Sequence, residues 1–597
     1  MTEELVSLQW QSAEESDRNL MSLAEMMGIQ ARPVVLGLPD DGGDLRENRH
    51  LPESGSRVIT SARTLVELIG RPEGSSLIDV LLSKASHLFV YGFAPLTSHK
   101  ALLCKLSGNA LTSVCELESK DTRYLVSGAA KDVCHQLSGL AFGPTDPEND
   151  STFMGTPGES NVRELIAIED RPFFVQTVRS GCNVMLLAGR RIANINLPVP
   201  PGVSPLKWFS QFVPAMVFIR HGFGSRCWHN DTPHGCFVVD DPLLKPSYGF
   251  LDYEGLLGSM KRRGFTTSIA FIPWNHSRTS AQNAGFFRRN SDRYSLCVHG
   301  CDHTKAEFGI TDSNELNRKV SLATERMTLH ERRTGLSFDK VMVFPQGIFS
   351  SAALKALQSY NYVAAVNSTP YAIDRPPTEL CLRDFLDVAV TRYWDFPLFL
   401  RHYPVDINAC AVDLFLGKPV LLVEHHQYFK NGYEALEHFV KQLQSLDHRI
   451  IWGNLEATCV NSCLTKVDHE GVIHVNIYTD RVLIANSYSE RKCYRVWRQK
   501  REESPTIEVS VNGEHVAYRL EGGGLWVTLQ LNPGERAELR LRRNESRQFS
   551  ENSSPGLIDA SRTYLRRHLC ELRDDCFSKN ACLSKLMDRG RKLLNKS

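Results

Sequence analysis

The stretch from Cys236 to about residue 460 alternates short apolar runs with amphipathic segments of helical period. The apolar runs are rich in the β-branched and aromatic residues of buried strands, and they include FVV, SIAF, SLCV, VMVF and VLLV. The segments between them end at helix stops such as Gly264 and Gly335. Strands and helices that alternate at this length form a parallel sheet with right-handed crossovers. We therefore predict an α/β fold with a parallel sheet that forms a barrel or a partial barrel over residues 236–460.

The rest of the chain lacks this alternation and divides by its patterns. Beyond about residue 461 the apolar period changes to two, and Asn512-Gly513 is a strong signal for a two-residue hairpin. The predicted flanking parts are a polar N-terminal segment (1–60), an α/β domain of unassigned function with its connector (61–235), an antiparallel β-sandwich (461–545) and a helical tail (546–597).

Charge and hydropathy exclude two classes of partner. Lysine and arginine number 69 against 68 aspartates and glutamates, so no basic excess is available to neutralise the phosphates of a nucleic acid. No apolar run approaches the roughly 20 residues that a membrane-spanning helix needs. The start MTEELVSLQWQ lacks the basic and apolar regions of a signal peptide. We therefore expect a multidomain cytoplasmic protein whose 16 cysteines are reduced.

Polar residues that are uncommon in a hydrophobic core follow four of the predicted barrel strands. Barrel enzymes keep their catalytic groups at the carboxyl ends of the strands, so these side chains are expected to meet at one mouth. Two imidazoles four residues apart and a carboxylate from another strand suit a catalytic Zn²⁺ or another divalent transition metal. The residues concerned are Asp240 and Asp241, His299 and His303, Pro345, Gln346 and Gly347, and Glu424, His425 and His426.

Each of these pieces is ordinary when it is taken alone. Twenty histidines in 597 residues produce about 0.7 H-x-x-x-H pairs by chance, and paired aspartates usually cap or solvate a turn. The joint order carries the argument, because acids, H-x-x-x-H, P-x-G and a histidine each come directly after an apolar strand. The sequence therefore indicates a metal site more strongly than any single motif does.

In that order the middle domain resembles the NodB-like polysaccharide deacetylases, a carbohydrate esterase family built on a distorted (β/α) barrel. FVVDDP is similar to the first motif of the family, VHGCDH to the second with Gly300 in the small-residue place, and FPQGIFS to the third. The resemblance implies the following roles: Asp240 as general base, Asp241, His299 and His303 as metal ligands, Pro345, Gln346 and Gly347 as substrate-binding residues, His425 as catalytic acid and His426 as its alternate.

The sequence also departs from the family pattern. The arginine that usually orients the base in the third motif is absent, and Val343 and Phe344 occupy its neighbourhood. Pro242 replaces the usual glycine after the acid pair, and the Asp/Trp fourth motif is not visible. The resemblance covers under half of the chain, so the protein is expected to be a divergent deacetylase.

We therefore expect a metal-dependent hydrolase that removes an N-acetyl or similar acyl group from a carbohydrate or glycoconjugate. Trp394 lies in an aromatic stretch that could stack on sugar rings, although packing against the barrel is the more ordinary role. Two other functions stay open at this point. One is a barrel that keeps its metal site only to bind a glycan or a protein partner. The other is a glycoside hydrolase, for which Asp240 and Glu424 are the available pair of carboxylates.

Overall fold

A computed structural model describes residues 4–36, 52–71, 74–119, 121–155, 161–500, 507–543 and 557–577. The chain forms two compact units. Unit 1 comprises Met1–His229, Cys381–Leu386 and Thr465–His474, and unit 2 comprises Asn230–Leu380, Asp387–Leu464 and Val475–Ser597. None of the helices within the described residues is long and apolar enough to cross a membrane.

Unit 1 is built on a mixed nine-stranded sheet whose order is β2-β1-β3-β4-β11-β10-β9-β6-β7. Its strands and those of a small β5/β8 sheet are β1 (Leu5–Trp10), β2 (Ala31–Leu36), β3 (Arg57–Ser61), β4 (His87–Tyr91), β5 (Leu111–Glu116), β6 (Tyr124–Val126), β7 (Ala141–Phe142), β8 (Ser151–Gly155), β9 (Val162–Ile168), β10 (Arg171–Arg179) and β11 (Cys182–Leu187). The pairs from β2 to β11 are parallel, and the pairs from β11 to β7 are antiparallel.

The described residues of unit 1 contain seven α-helices, and several of them contact the strands of this sheet. They are α1 (Glu15–Met26), α2 (Ala62–Ile69), α3 (Gly74–Lys84), α4 (Thr97–Ser107), α5 (Lys131–Cys134), α6 (Phe209–Phe223) and, from a later part of the chain, α11 (Leu382–Leu386). Aromatic rings from sheet and helix meet in the core, where the Phe89 ring lies 6.1 Å from that of Phe174 and 5.2 Å from that of Phe218. Contacts of this kind bury large apolar area and fix the helices on the sheet.

The beginning of the chain differs from the separate polar segment predicted for residues 1–60. Strand β1 is an internal strand of the nine-stranded sheet, next to the edge strand β2, and it pairs on both sides, with β2 and with β3. Its sequence, LVSLQW, has only three aliphatic residues, but even Ser7 and Gln9 are buried, and they hydrogen-bond to each other at 3.0 Å. Polar composition concealed a buried strand because its two polar side chains satisfy one another. The predicted segment also includes residues 37–51, which lie outside the described residues.

Unit 2 contains the parallel barrel expected over residues 236–460. Its strands lie in the order β19-β18-β17-β16-β15-β12-β20, and β21 pairs with the start of β12. The strands are β12 (His234–Asp240), β15 (Thr267–Phe271), β16 (Tyr294–His299), β17 (Asp339–Val343), β18 (Ala364–Asn367), β19 (Leu398–Leu400), β20 (Val420–Glu424) and β21 (Ile451–Trp452), with a short β13 (Ser247–Tyr248) and β14 (Leu251–Asp252) hairpin after β12. Every pair in the barrel is parallel, and a bridge from His402 to Leu422 joins the two ends of the sheet.

Helices alternate with the barrel strands along the chain, and two of them end at the glycines that the sequence marks as helix stops, Gly264 and Gly335. They are α7 (Tyr253–Arg263), α8 (Ala281–Arg289), α9 (Ser313–Thr334), α10 (Ser351–Ser359), α12 (Ile407–Leu416), α13 (Glu434–Leu446) and α14 (Leu455–Asn461). At the start of α9 the side chain of Asp312 accepts a hydrogen bond from the Glu315 backbone N–H at 2.8 Å. Gly335 ends this helix at φ 70°, a left-handed conformation that glycine adopts without strain.

Antiparallel strands follow the barrel, as the period-two pattern predicts. They are β22 (Leu464–Val467), β23 (Ile473–Ile477), β24 (Arg481–Ala485), β25 (Lys492–Gln499), β26 (Ile507–Val511), β27 (Glu514–His515), β28 (Arg519–Glu521), β29 (Gly524–Leu531) and β30 (Arg536–Arg543). Strands β25, β29 and β28 pair in one sheet, and β24, β30, β26 and β27 pair in another. Asn512 and Gly513 form the predicted hairpin turn with φ angles of 51° and 91°. The arrangement of these sheets as a sandwich stays a prediction.

The predicted helical tail contains one described helix, α15 (Leu557–Leu572), which continues into a π-helical turn at Arg573–Phe577. We call these residues the C-terminal helix. The other residues of the predicted tail, 546–556 and 578–597, lie outside the described residues.

Candidate metal and catalytic site

Polar side chains gather at the carboxyl ends of the barrel strands. Asp240 is the last residue of β12, His299 is the last of β16, and Glu424 is the last of β20. Arg401 directly follows β19. Because parallel strands all point the same way, these four strand ends open at the same mouth of the barrel, which is where barrel enzymes carry their chemistry.

Three residues at or just after these strand ends form a group that could hold a metal ion. One ligand atom from each of Asp241, His299 and His303 lies within 4.8 Å of the others, and we call this group the metal trio. The His303 Nε2 to Asp241 Oδ2 distance is 3.7 Å. His299 Nδ1 donates a hydrogen bond to the Val343 carbonyl at 3.0 Å, which leaves Nε2 as its ligand atom. A carboxylate and two imidazoles are a typical donor set of catalytic zinc sites, so these residues fit such an ion.

The segment between the two histidines is a loop held by a buried carboxylate, not the helical turn that their spacing allowed. The Glu307 carboxylate accepts hydrogen bonds from the backbone N–H groups of Cys301, Asp302, His303 and Thr304 at 2.8 to 3.4 Å. Gly300 lies at φ 65°, and a Cβ there would lie 2.1 Å from Glu307 Oε1. The small residue in the motif is therefore required by the packing of Glu307 under the loop.

Two of the trio have left-handed backbones. Asp241 has φ 60° and His303 has φ 56°, and Gln346 on a neighbouring loop has φ 58°. Non-glycine residues in this region cost of order 1 kcal/mol or more, and they persist where the surrounding structure imposes them. Such residues concentrate at functional sites, which agrees with the placement of two candidate ligands here.

Asp240 is held by an arginine that the sequence analysis did not find. Arg401 Nη1 donates to Asp240 Oδ1 at 2.7 Å and Nη2 donates to Oδ2 at 2.6 Å, and both side chains are 4% exposed. This arginine comes from the end of β19, whereas the motif resemblance places an arginine near Val343 and Phe344. A bidentate contact of this kind fixes the plane of the Asp240 carboxylate.

Burial and neighbouring charges shift the pKa values of the two aspartates in opposite directions. Burial is the largest single influence on Asp240 and raises its pKa, but the charges of Arg401, His299 and His425 and the hydrogen bonds from Arg401 together outweigh burial and lower the pKa to about 2. Burial raises the pKa of Asp241 to about 6, and the charge of His425 is the largest opposing influence. Burial lowers the pKa of His299 to about 4 and that of His303 to about 2. Both imidazoles are therefore neutral at pH 7, the form that binds a metal.

The two histidines after β20 have different surroundings. His425 is half-buried, and its charge influences the pKa values of Asp240, Asp241 and His299, so it lies near the metal trio. His426 is 5% exposed, and its ring stacks on that of Phe250 at 6.2 Å. Its Nε2 lies 3.5 Å from Asp574 Oδ1 of the C-terminal helix. The geometry favours His425 over His426 as the residue that could donate a proton in the site.

The remaining predicted substrate-binding residues lie on two loops. The Pro345 ring packs over Gly300, Gln346 Oε1 accepts a hydrogen bond from the Ala306 N–H at 3.1 Å, and the Gly347 carbonyl accepts from Asn367 at 2.9 Å. This loop therefore borders the loop that carries the trio.

The other loop carries Trp394, which is half-buried. Its ring faces Lys355 Nζ at 4.6 Å and the Arg375 guanidinium at 5.8 Å. A role for either loop in binding sugar stays a prediction.

Comparisons with known proteins place carbohydrate deacetylases among the similar structures. No family model matches the chain, and no curated protein matches it. Agd3, a carbohydrate deacetylase, matches 90% of this chain and 98% of its own at 10% identity and a TM-score of 0.47. A family 4 carbohydrate esterase from Streptomyces lividans matches 38% of this chain and 93% of its own at 12% identity and a TM-score of 0.23. A family 4 pseudoenzyme from Bacillus anthracis matches 38% of this chain and 65% of its own at 11% identity and a TM-score of 0.24.

Carbohydrate deacetylase is also the class that the sequence motifs resemble. The particular proteins are only distantly similar, at identities of 10 to 12%.

Two positioning residues escaped the sequence analysis for different reasons. Arg401 follows the apolar run PLFL, so the strand-end argument that found Asp240 applies to it as well. Glu307 lies in a loop and carries no such signal, because its role depends on the backbone that folds around it.

Proposed function

We propose that this protein is a metal-dependent hydrolase that removes an acetyl or similar acyl group from the nitrogen of a sugar-containing substrate. The observation that carries the proposal is the metal trio beside Asp240, a buried carboxylate that Arg401 keeps ionised. A ligand set of this kind next to an oriented base is what hydrolysis of an amide by an activated water requires.

Each residue has a defined task in this reaction. Asp241, His299 and His303 would hold a divalent ion, which when bound lowers the pKa of a water and polarises a carbonyl. Asp240 accepts a proton from the water as the oxygen of that water attacks the acyl carbon. Arg401 keeps that carboxylate in one plane and in its charged form. His425 then donates a proton to the nitrogen as the carbon–nitrogen bond breaks, so the products are a free amine and acetate.

Metal content and acetate release test this proposal together. Purified protein should contain about one equivalent of a divalent transition metal and should release acetate from an N-acetylated sugar. His299→Ala should lose both the metal and the activity. Asp240→Asn is the matched variant, because it should keep the metal and lose acetate release by about 100-fold or more, the usual contribution of a general base.

Two results would contradict the proposal. Metal-free wild-type protein after supplementation would remove the basis of the mechanism. Full metal occupancy without turnover of any acylated sugar would instead favour a barrel that uses the site for binding.

A further inference from the structure

The C-terminal helix is anchored to the loop that follows strand β12. Tyr248 Oη donates to Asp574 Oδ2 at 2.7 Å, and the Gly249 N–H donates to Asp575 Oδ1 at 2.8 Å. Lys245 pairs with Glu571 and, at 3.1 Å, with Asp575. Asp574 is also the partner of His426, which follows the candidate acid in sequence. These contacts hold the helix against the carboxyl end of the barrel.

A second set of contacts places the helix beside the histidine loop. The Trp274 ring lies 6.1 Å from the rings of both Tyr564 and His568. The backbone N–H of Trp274 donates to the Cys301 carbonyl at 3.0 Å, and Cys301 lies between the two histidines of the trio. The contacting residues are spaced as one face of a helix, and this face lies against the barrel. They are Tyr564, His568 and the three anchoring acids.

Arg567 lies on this face and has no partner of its own. It is 4% exposed, and no hydrogen bond or ion pair joins it to the part of the chain that the structure describes. Its charge lowers the pKa values of Asp241 and His303, although burial is the largest influence on both groups. Glu571, one helical turn further along, does not neutralise it, because Glu571 pairs with Lys245 and Arg278.

A buried guanidinium without a counter-ion is costly, so its place beside a catalytic mouth needs an explanation. Asp240 is already neutralised by Arg401, and a divalent ion in the trio would neutralise Asp241. Arg566 adds a second charge near His303, where it also lowers the pKa after burial and other influences. The loaded site would therefore carry an excess of positive charge at this wall, which an anionic ligand would balance.

We propose that Arg567, assisted by Arg566, binds an anionic group on the substrate, so that the enzyme acts on N-acylated sugars that carry a phosphate or a carboxylate. This inference rests on the proposed hydrolase function. Both anions match the forked donors of a guanidinium and accept two parallel hydrogen bonds from it. In this arrangement the C-terminal helix is a wall of the active site that selects the substrate.

Three substrates with the same reacting group test the inference: N-acetylglucosamine, its 1-phosphate and its uronic acid. For wild-type protein, kcat/KM should be higher for at least one of the two anionic sugars than for the neutral sugar. Arg567→Gln should lower that ratio by about tenfold or more through KM, since one charge-assisted contact is lost. Arg562→Gln is the matched control, because Arg562 is an exposed residue of the same helix, and the ratio should stay at its wild-type value. Comparison of the phosphate with the uronic acid identifies the anion.

Calorimetric titration of the metal-loaded protein with the sugar phosphate and the uronic acid separates this inference from the hydrolase proposal. Binding that is tenfold weaker in Arg567→Gln supports the anion site even if no sugar is hydrolysed. Hydrolysis that is equal for neutral and anionic sugars, and unchanged in ratio by Arg567→Gln, overturns the anion site and leaves the hydrolase proposal standing.

Discussion

Replacement of Arg401 by methionine should destabilise unit 2 and abolish catalysis without removing the metal. The guanidinium makes two hydrogen bonds of 2.6 and 2.7 Å to Asp240, and both side chains are 4% exposed. Methionine fills similar volume but leaves the carboxylate buried and uncompensated. Removal of one partner from a buried ion pair costs about 3–5 kcal/mol, so the free energy of unfolding should fall by that amount.

The same substitution should change the chemistry of the base. Burial raises the pKa of Asp240, and the charge of Arg401 is the largest opposing influence. Without that charge the carboxyl is protonated more readily and is free to rotate. We expect kcat to fall by about 100-fold or more at pH 7, with one equivalent of metal still bound, because Arg401 contacts the base and is not one of the trio.

Urea unfolding, acetate release and metal analysis measure these effects on one preparation. Arg401→Lys keeps the charge but loses the bidentate geometry, so it should recover part of the stability and little of kcat. Arg163→Met is a matched control, because Arg163 makes a similar forked contact to Asp132 on the surface, where their side chains are 38% and 63% exposed. That variant should lose less than about 1 kcal/mol. A folded Arg401→Met protein with kcat within threefold of wild type would refute the reasoning.

Three further predictions concern the loop and the barrel core. Gly300→Ala places a Cβ 2.1 Å from Glu307 Oε1 and 2.4 Å from Pro345 Cγ at a positive φ, so metal content by elemental analysis should fall; unchanged occupancy would contradict this. Glu307→Gln weakens the acceptor of four backbone N–H groups, so metal affinity in a competition titration should drop by about 10-fold or more. An affinity equal to that of the wild type would show that the loop keeps its conformation without this carboxylate.

The third of these predictions concerns Asp339, whose pKa burial raises to about 7. The folded protein therefore keeps a proton that the unfolded chain has lost, and stability should fall as pH rises from about 4 to about 7, by up to about 1.4 kcal/mol per pH unit. Asp339→Asn should flatten this part of the stability profile in urea unfolding, and an unaltered slope would rule out Asp339 as its source.

The strand-end aspartates and histidines were predictable from the sequence because their signals are local. Apolar runs mark the strands, and the parallel direction of those strands brings Asp240, Asp241 and His299 to one mouth whatever the details of packing. His303 follows from its spacing to His299, although the loop between them is not the helical turn that the spacing allowed. These residues depend only on the order and direction of neighbouring strands.

Tertiary structure alone decided the partners of these residues. Arg401 reaches Asp240 across 161 positions of sequence, and the C-terminal helix reaches Tyr248 across 326. Strand β1 is an internal strand of its sheet, and its two buried polar side chains, Ser7 and Gln9, hydrogen-bond to each other, which composition does not reveal. Hydropathy and spacing report which face of an element is buried, but not which distant element covers it. The charge balance of the site therefore cannot be predicted from the sequence and follows only from the tertiary structure.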